Sequence, residues 1–103
     1  MEIKINTKFK NIDGTDMMIN AVDPKSKPVT LAYVLKQVLL GEYKDEKINA
    51  EEKIRRYKLG IGIGDCTKEK FIISLEDIAY LRQLAGVACN TFIFGQVDSM
   101  LPK

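Results

Sequence analysis

At 103 residues, 46% of them hydrophobic and 29% charged, the chain has the size and make-up of one globular domain (residues 1–103) and not of a disordered segment. Sixteen basic against fourteen acidic residues leave a net charge of +2, too weak and too dispersed to mark a nucleic-acid surface. Histidine is absent, which removes the usual general base, the commonest zinc ligand and the partner of a serine or cysteine nucleophile.

Glu2 to Lys10 places Ile3, Ile5 and Phe9 on one face and Lys4, Asn6, Lys8 and Lys10 on the other, the period of a half-buried strand. The same alternation is unlike the apolar core of a signal peptide, and no stretch approaches the ~20 apolar residues of a membrane-spanning helix. A cytoplasmic protein is therefore expected. Asp13 and Gly14 both tolerate positive φ and predict a turn, with Met17, Met18 and Ile19 as the returning strand of a β-hairpin. Pro24 and Pro28 hold the next connection irregular. Thr30 then precedes Leu31, Val34, Leu35, Val38 and Leu39, a capped helix with one apolar stripe that Gly41 ends.

Asn49, with Glu52 three residues later, has the spacing of a capping box for a second helix. Its inward positions are read as Ala50, Ile54, Tyr57 and Ile61, with Lys53, Arg55, Arg56 and Lys58 on the remaining surface. "KFIIS" is a candidate short third strand. Ser74 caps a third helix, Glu76 and Asp77 suit its amino-terminal dipole, and Ile78, Leu81 and Ala85 face inward. Thr91 is the expected cap of a last helix carrying Ile93, Val97, Met100 and Leu101, the rival reading being a strand through "TFIF". The fold class that follows is α+β, an N-terminal β-hairpin, with or without a short third strand, packed on a bundle of three to four short helices.

The "GIGIG" of Gly60, Gly62 and Gly64 invites comparison with a nucleotide-binding loop. A dinucleotide fingerprint lies between a strand and the start of a helix, where amides face the pyrophosphate. Here the glycines follow a helix, and no lysine follows them as a P-loop requires. They are expected to loosen and end the second helix, Gly64 as its left-handed cap, with Gly60 and Gly62 permitting close helix packing.

Asp45, Glu46, Glu51 and Glu52 are near one another but belong to a loop and a first helical turn, where acidic residues serve stability. "DGTD" lacks the spaced ligands of a calcium loop. Cys66 and Cys89 have no CxxC spacing and are expected as reduced, structural thiols. No catalytic residue, metal or cofactor is expected, and the chain is not expected to be an enzyme.

Taken in order, "VTLAYVLKQVLL", "NAEEKIRRYKLGIGI", "ISLEDIAYLRQLAG" and "FIFGQVDSMLP" resemble a family of small, functionally uncharacterised proteins of tailed bacteriophages and prophages. The resemblance covers about residues 12 to 103 and rests on capping and core patterns: T-L-x-x-V-L, an E-K-x-x-R-[FY]-x-L helix, an L-[ST]-x-E-[DE] helix start and a terminal G-Q-[VI]. The sequence departs from that pattern at Gly60 and Gly62, where alanine and lysine are usual. The resemblance implies a phage or prophage origin and the cytoplasm of a bacterial host cell, and it implies no activity.

Size and missing chemistry together lead to the expectation of a small protein-binding module that modulates a host or phage macromolecule. The alternative is a virion assembly or structural accessory protein that forms a homo-oligomer. The partner is accordingly a host or phage protein, or a second copy; a membrane and nucleic acid are not expected. Candidate partner-binding residues are the aromatics Tyr43, Phe92 and Phe94, with Phe71 as a further one, because interfaces favour aromatic residues, and the cations Arg55 and Arg56, whose face would bind nucleic acid by charge in a third, less expected reading. On a helix, Phe92 and Phe94 cannot both face inward with Ile93 and Val97.

Overall fold

A computed structural model describes residues 1–20, 22–23, 25–41 and 49–102. The elements run β1 (Glu2–Lys4), α1 (Leu31–Leu40), α2 (Ala50–Asp65), β2 (Lys70–Ile72), α3 (Leu75–Ala88) and α4 (Thr91–Met100). Among the described residues the architecture is α+β, with four helices and a two-stranded antiparallel sheet in which Glu2 faces Ile72, Ile3 faces Phe71 and Lys4 faces Lys70. The regular partner of the first strand is thus the "KFI" segment, brought back by two intervening helices.

The amino-terminal segment reads as one strand but bends after Lys4, where the Thr7 amide donates to the Lys4 carbonyl at 3.2 Å. Past the bend, Lys8 bridges Thr30 and Lys10 bridges Asp16. The turn at Asp13-Gly14 forms, with Gly14 at φ 88° and the Asn11 amide donating to Thr15 at 2.8 Å. Met17 follows back against Phe9, and its own carbonyl accepts from Val29 at 2.7 Å. Ile3, Ile5 and Phe9 are all buried, in agreement with the alternation.

α1 lies at the centre, packed on both α2 and α3. Thr30 Oγ1 accepts from the Tyr33 amide at 3.3 Å. The two amides before that one, which have no partner within a helix, donate outward: Leu31 to the Thr7 carbonyl at 2.9 Å and Ala32 to the Ile5 carbonyl at 2.8 Å. The helix start is in this way bonded to the strand segment beneath it. Leu31, Val34, Leu35, Val38 and Leu39 are all buried, and Gly41 closes the helix through its amide to Gln37.

α3 begins as expected, Ser74 Oγ accepting from the Asp77 amide at 3.1 Å. α4 is a helix and not a strand. Its cap is Asn90, one residue before Thr91, with Asn90 Oδ1 accepting from the Ile93 amide at 2.9 Å. Two side chains fasten α4 in place. Gln96 takes both backbone groups of Lys10, accepting from its amide at 2.8 Å and donating to its carbonyl at 3.0 Å, as a neighbouring strand would. Arg82 on α3 donates to Asp98 at 2.6 Å and to the Leu101 and Pro102 carbonyls at 3.4 and 3.2 Å.

α2 departs most from expectation. It is continuous through all three glycines to Asp65, and Cys66 caps it with extended backbone, so Gly64 is not a left-handed cap. Among the described residues Gly14 is the glycine with positive φ. Gly60 is instead a packing site: a β-carbon built there would stand 2.9 Å from Leu40 Cδ2, so the Leu40 side chain lies over it. At Gly62 the neighbour is the Phe71 ring, at 3.4 Å. Side chains approach these glycines where the sequence suggests a second helix backbone.

Candidate functional site

The rotation of α2 about its axis decides what the protein presents. Its buried residues are Arg56, Gly60 and Ile63. The stripe read from the sequence as inward faces out: Ile54 is 52%, Tyr57 59% and Ile61 39% exposed, and Ala50 is exposed beside them. α2 therefore carries two apolar faces, one used by the core and one presented to solvent.

The inner face is held by a polar cluster. Arg56, 4% exposed, donates from Nε to the Tyr80 hydroxyl at 2.9 Å and from Nη2 to Glu52 Oε1 at 3.1 Å. The Tyr80 hydroxyl in turn donates to Glu52 Oε1 at 3.0 Å. Burial raises the Tyr80 pKa above its ordinary value of 10, with the Arg56 hydrogen bond opposing that rise. The phenol thus stays protonated and keeps its donor for Glu52. A guanidinium withdrawn from water is tolerable only with such partners, and the cluster links α2 to α3 through Arg56, Glu52 and Tyr80. Arg55, next in sequence, pairs with Asp77 at 2.8 Å and lies 4.0 Å over the Tyr80 ring.

The residues expected to bind a partner are scattered by this arrangement. Arg56 is corrected from surface to interior, because its one-residue offset from Arg55 turns it toward Tyr80. Arg55 is exposed but already engaged with Asp77 and Tyr80. Phe92 is exposed at 42%, whereas Phe94 is half-buried against the core with its ring over Gly86. Phe71 packs on Gly62. Tyr43 lies outside the described residues. The surface that sequence reading missed is Ala50, Ile54, Tyr57 and Ile61. The available signal was a second set of apolar positions on the same helix, at Leu59 and Ile63.

A groove of about 560 Å³ runs between α1 and the junction of α3 with α4, walled by Tyr33, Val34, Val38, Val87 and Ile93 with Cys89 at its side. Burial raises the pKa of the Cys89 thiol, which lowers its thiolate fraction and hence its reactivity at neutral pH. Both cysteines are free. Among the described residues no group of three or more aspartate, glutamate, cysteine or histidine side chains could hold a metal ion, and no helix is long and apolar enough to cross a membrane.

No family model, curated protein or solved structure matches the chain. The likeness to phage and prophage proteins accordingly stands on its motifs alone.

Proposed function

We propose that this chain is a non-catalytic protein-binding module and that the outer face of α2 is its contact surface. One observation carries the reading. Three large apolar side chains, Ile54, Tyr57 and Ile61, stand out from one face of a helix whose opposite face already packs against the core. Isolated exposed apolar residues need no explanation, but a contiguous row on a rigid element is characteristic of a surface that is covered in use. Such a protein acts by occupying a partner. The phage or prophage setting, the bacterial cytoplasm and a role in modulating a macromolecule are parts of the same proposal, supported by the motif resemblance. Assembly into a homo-oligomer, the second reading, draws support from the spacing of the same side chains.

The test is capture of proteins on the tagged chain from bacteria that also express the untagged chain, comparing wild type with Tyr57→Glu. Chemical crosslinking before lysis holds a contact too weak to survive washing, and the expected result is a protein joined to wild type and lost from the variant. Identical captured sets would overturn the reading.

A further inference from the structure

We infer that the outer face of α2 pairs with the same face of a second copy of this chain, antiparallel and about a two-fold axis, in one register. This rests on the reading of that face as a contact surface and names its occupant.

The exposed positions Ala50, Ile54, Tyr57 and Ile61 are spaced four, three and four residues apart, and Gly64 continues the series after three more. That is the alternation of the a and d positions of a coiled-coil seam, whose 3.5-residue period keeps a stripe facing a partner helix. Leu40, also exposed, lies over Gly60 at the edge of this stripe and widens it. The charged residues of α2 beside the seam are Glu51, Lys58 and Asp65 on one flank and Lys53 on the other, all exposed and none of them in an ion pair within the described residues, and the Lys36 side chain of α1 lies against Gly64 at the seam's end.

Those charges discriminate among arrangements. In a parallel pair, opposite flanks meet with an offset of five residues, which sets Lys53 against Lys58 of the second copy, twice. In an antiparallel pair, like flanks meet. If Ile54 faces Tyr57 of the second copy, then Ala50 faces Ile61, a small side chain against a large one, and Glu51 comes beside Lys58, twice by symmetry. Sliding by one heptad in one direction brings Lys58 against Lys58, and in the other Glu51 against Glu51. A single register therefore joins apolar layers to opposite charges, the means by which flanking residues set orientation in helix pairs. Four layers make a short seam of the weak, transient interface class, below ~1,200 Å² of buried surface, so the dimer is expected to dissociate on dilution.

Sedimentation equilibrium over a range of concentrations tests this with the full chain. Wild type should pass from 11.6 kDa toward twice that mass as concentration rises. Glu51→Lys and Lys58→Glu, each turning two attractions into two repulsions, should weaken the dimer about tenfold, and the double exchange should restore it to within about threefold of wild type. Helical circular dichroism and thermal melting of each variant separate loss of pairing from loss of fold. A chain monomeric at all concentrations, a dimer indifferent to the charge reversals, or weakening without rescue by the double exchange would each overturn the inference. A monomer that still captures a different protein in a Tyr57-dependent way would leave the contact-surface reading standing, whereas a monomer with no Tyr57-dependent capture would remove both.

Discussion

α1 and α2 begin alike and end in opposite relations to the core. Each has a polar N-cap whose side chain accepts from the amide three residues on, Thr30 from Tyr33 and Asn49 from Glu52. α1 has one apolar stripe, so the hydrophobic effect leaves it one orientation, with Leu31 and Leu35 fully buried. α2 offers two stripes, and the more apolar one is not the one buried. Its orientation matches what α1 and α3 present: a Leu40 side chain that packs over Gly60, and a Tyr80 hydroxyl that receives the Arg56 guanidinium. The comparison teaches that a helix packs by complementarity with its neighbours, and that surplus hydrophobicity on the other face is then left for something else to cover.

Removing the polar cluster should break this comparison most severely. Arg56→Ala strips Glu52 and Tyr80 of their shared donor and leaves a void at the α2–α3 contact, so a loss of about 2–3 kcal/mol in denaturant unfolding is expected. A loss below about 0.5 kcal/mol, the range of ordinary surface substitutions, would show that the cluster does not orient α2.

The glycines sharpen the same comparison at a smaller scale. Gly95 in α4 has open space where a β-carbon would stand, so Gly95→Ala should stabilise by about 0.5–1 kcal/mol through helix propensity alone. Gly60→Ala has the same intrinsic gain but must displace the Leu40 methyl at 2.9 Å, and its net gain in thermal unfolding should be smaller. Equal gains at both positions would mean that Leu40 does not depend on Gly60.

Much of the fold could be read directly. The α1 stripe, the caps at Thr30, Asn49 and Ser74, the Asp13-Gly14 turn and the burial of Ile3, Ile5 and Phe9 follow from local rules that the tertiary structure leaves intact. The last helix was readable in type but displaced by one residue at its start, since Asn90 and Thr91 are both good caps. The candidate site was not readable in the same way. Burial of Arg56 goes with its hydrogen bond to Tyr80, 24 residues further on, and the neighbours of Gly60, Gly62 and Gly64 are Leu40, Phe71 and Lys36, which reach them only in the folded chain. Helical periodicity ranks faces by their own hydrophobicity and contains nothing about such partners. It therefore assigned Ile54, Tyr57 and Ile61 to the interior and Arg56 to the surface.

The most direct measurement is the thermal stability of two matched substitutions on opposite faces of α2, Tyr57→Glu and Ile63→Glu. With Tyr57 outward and Ile63 buried at 1% exposure, the first should leave the monomer's midpoint within a few degrees of wild type, and the second should abolish cooperative unfolding by burying an unpaired charge. A cooperative, near-native melt for Ile63→Glu together with collapse of Tyr57→Glu would put the helix the other way round and contradict the account.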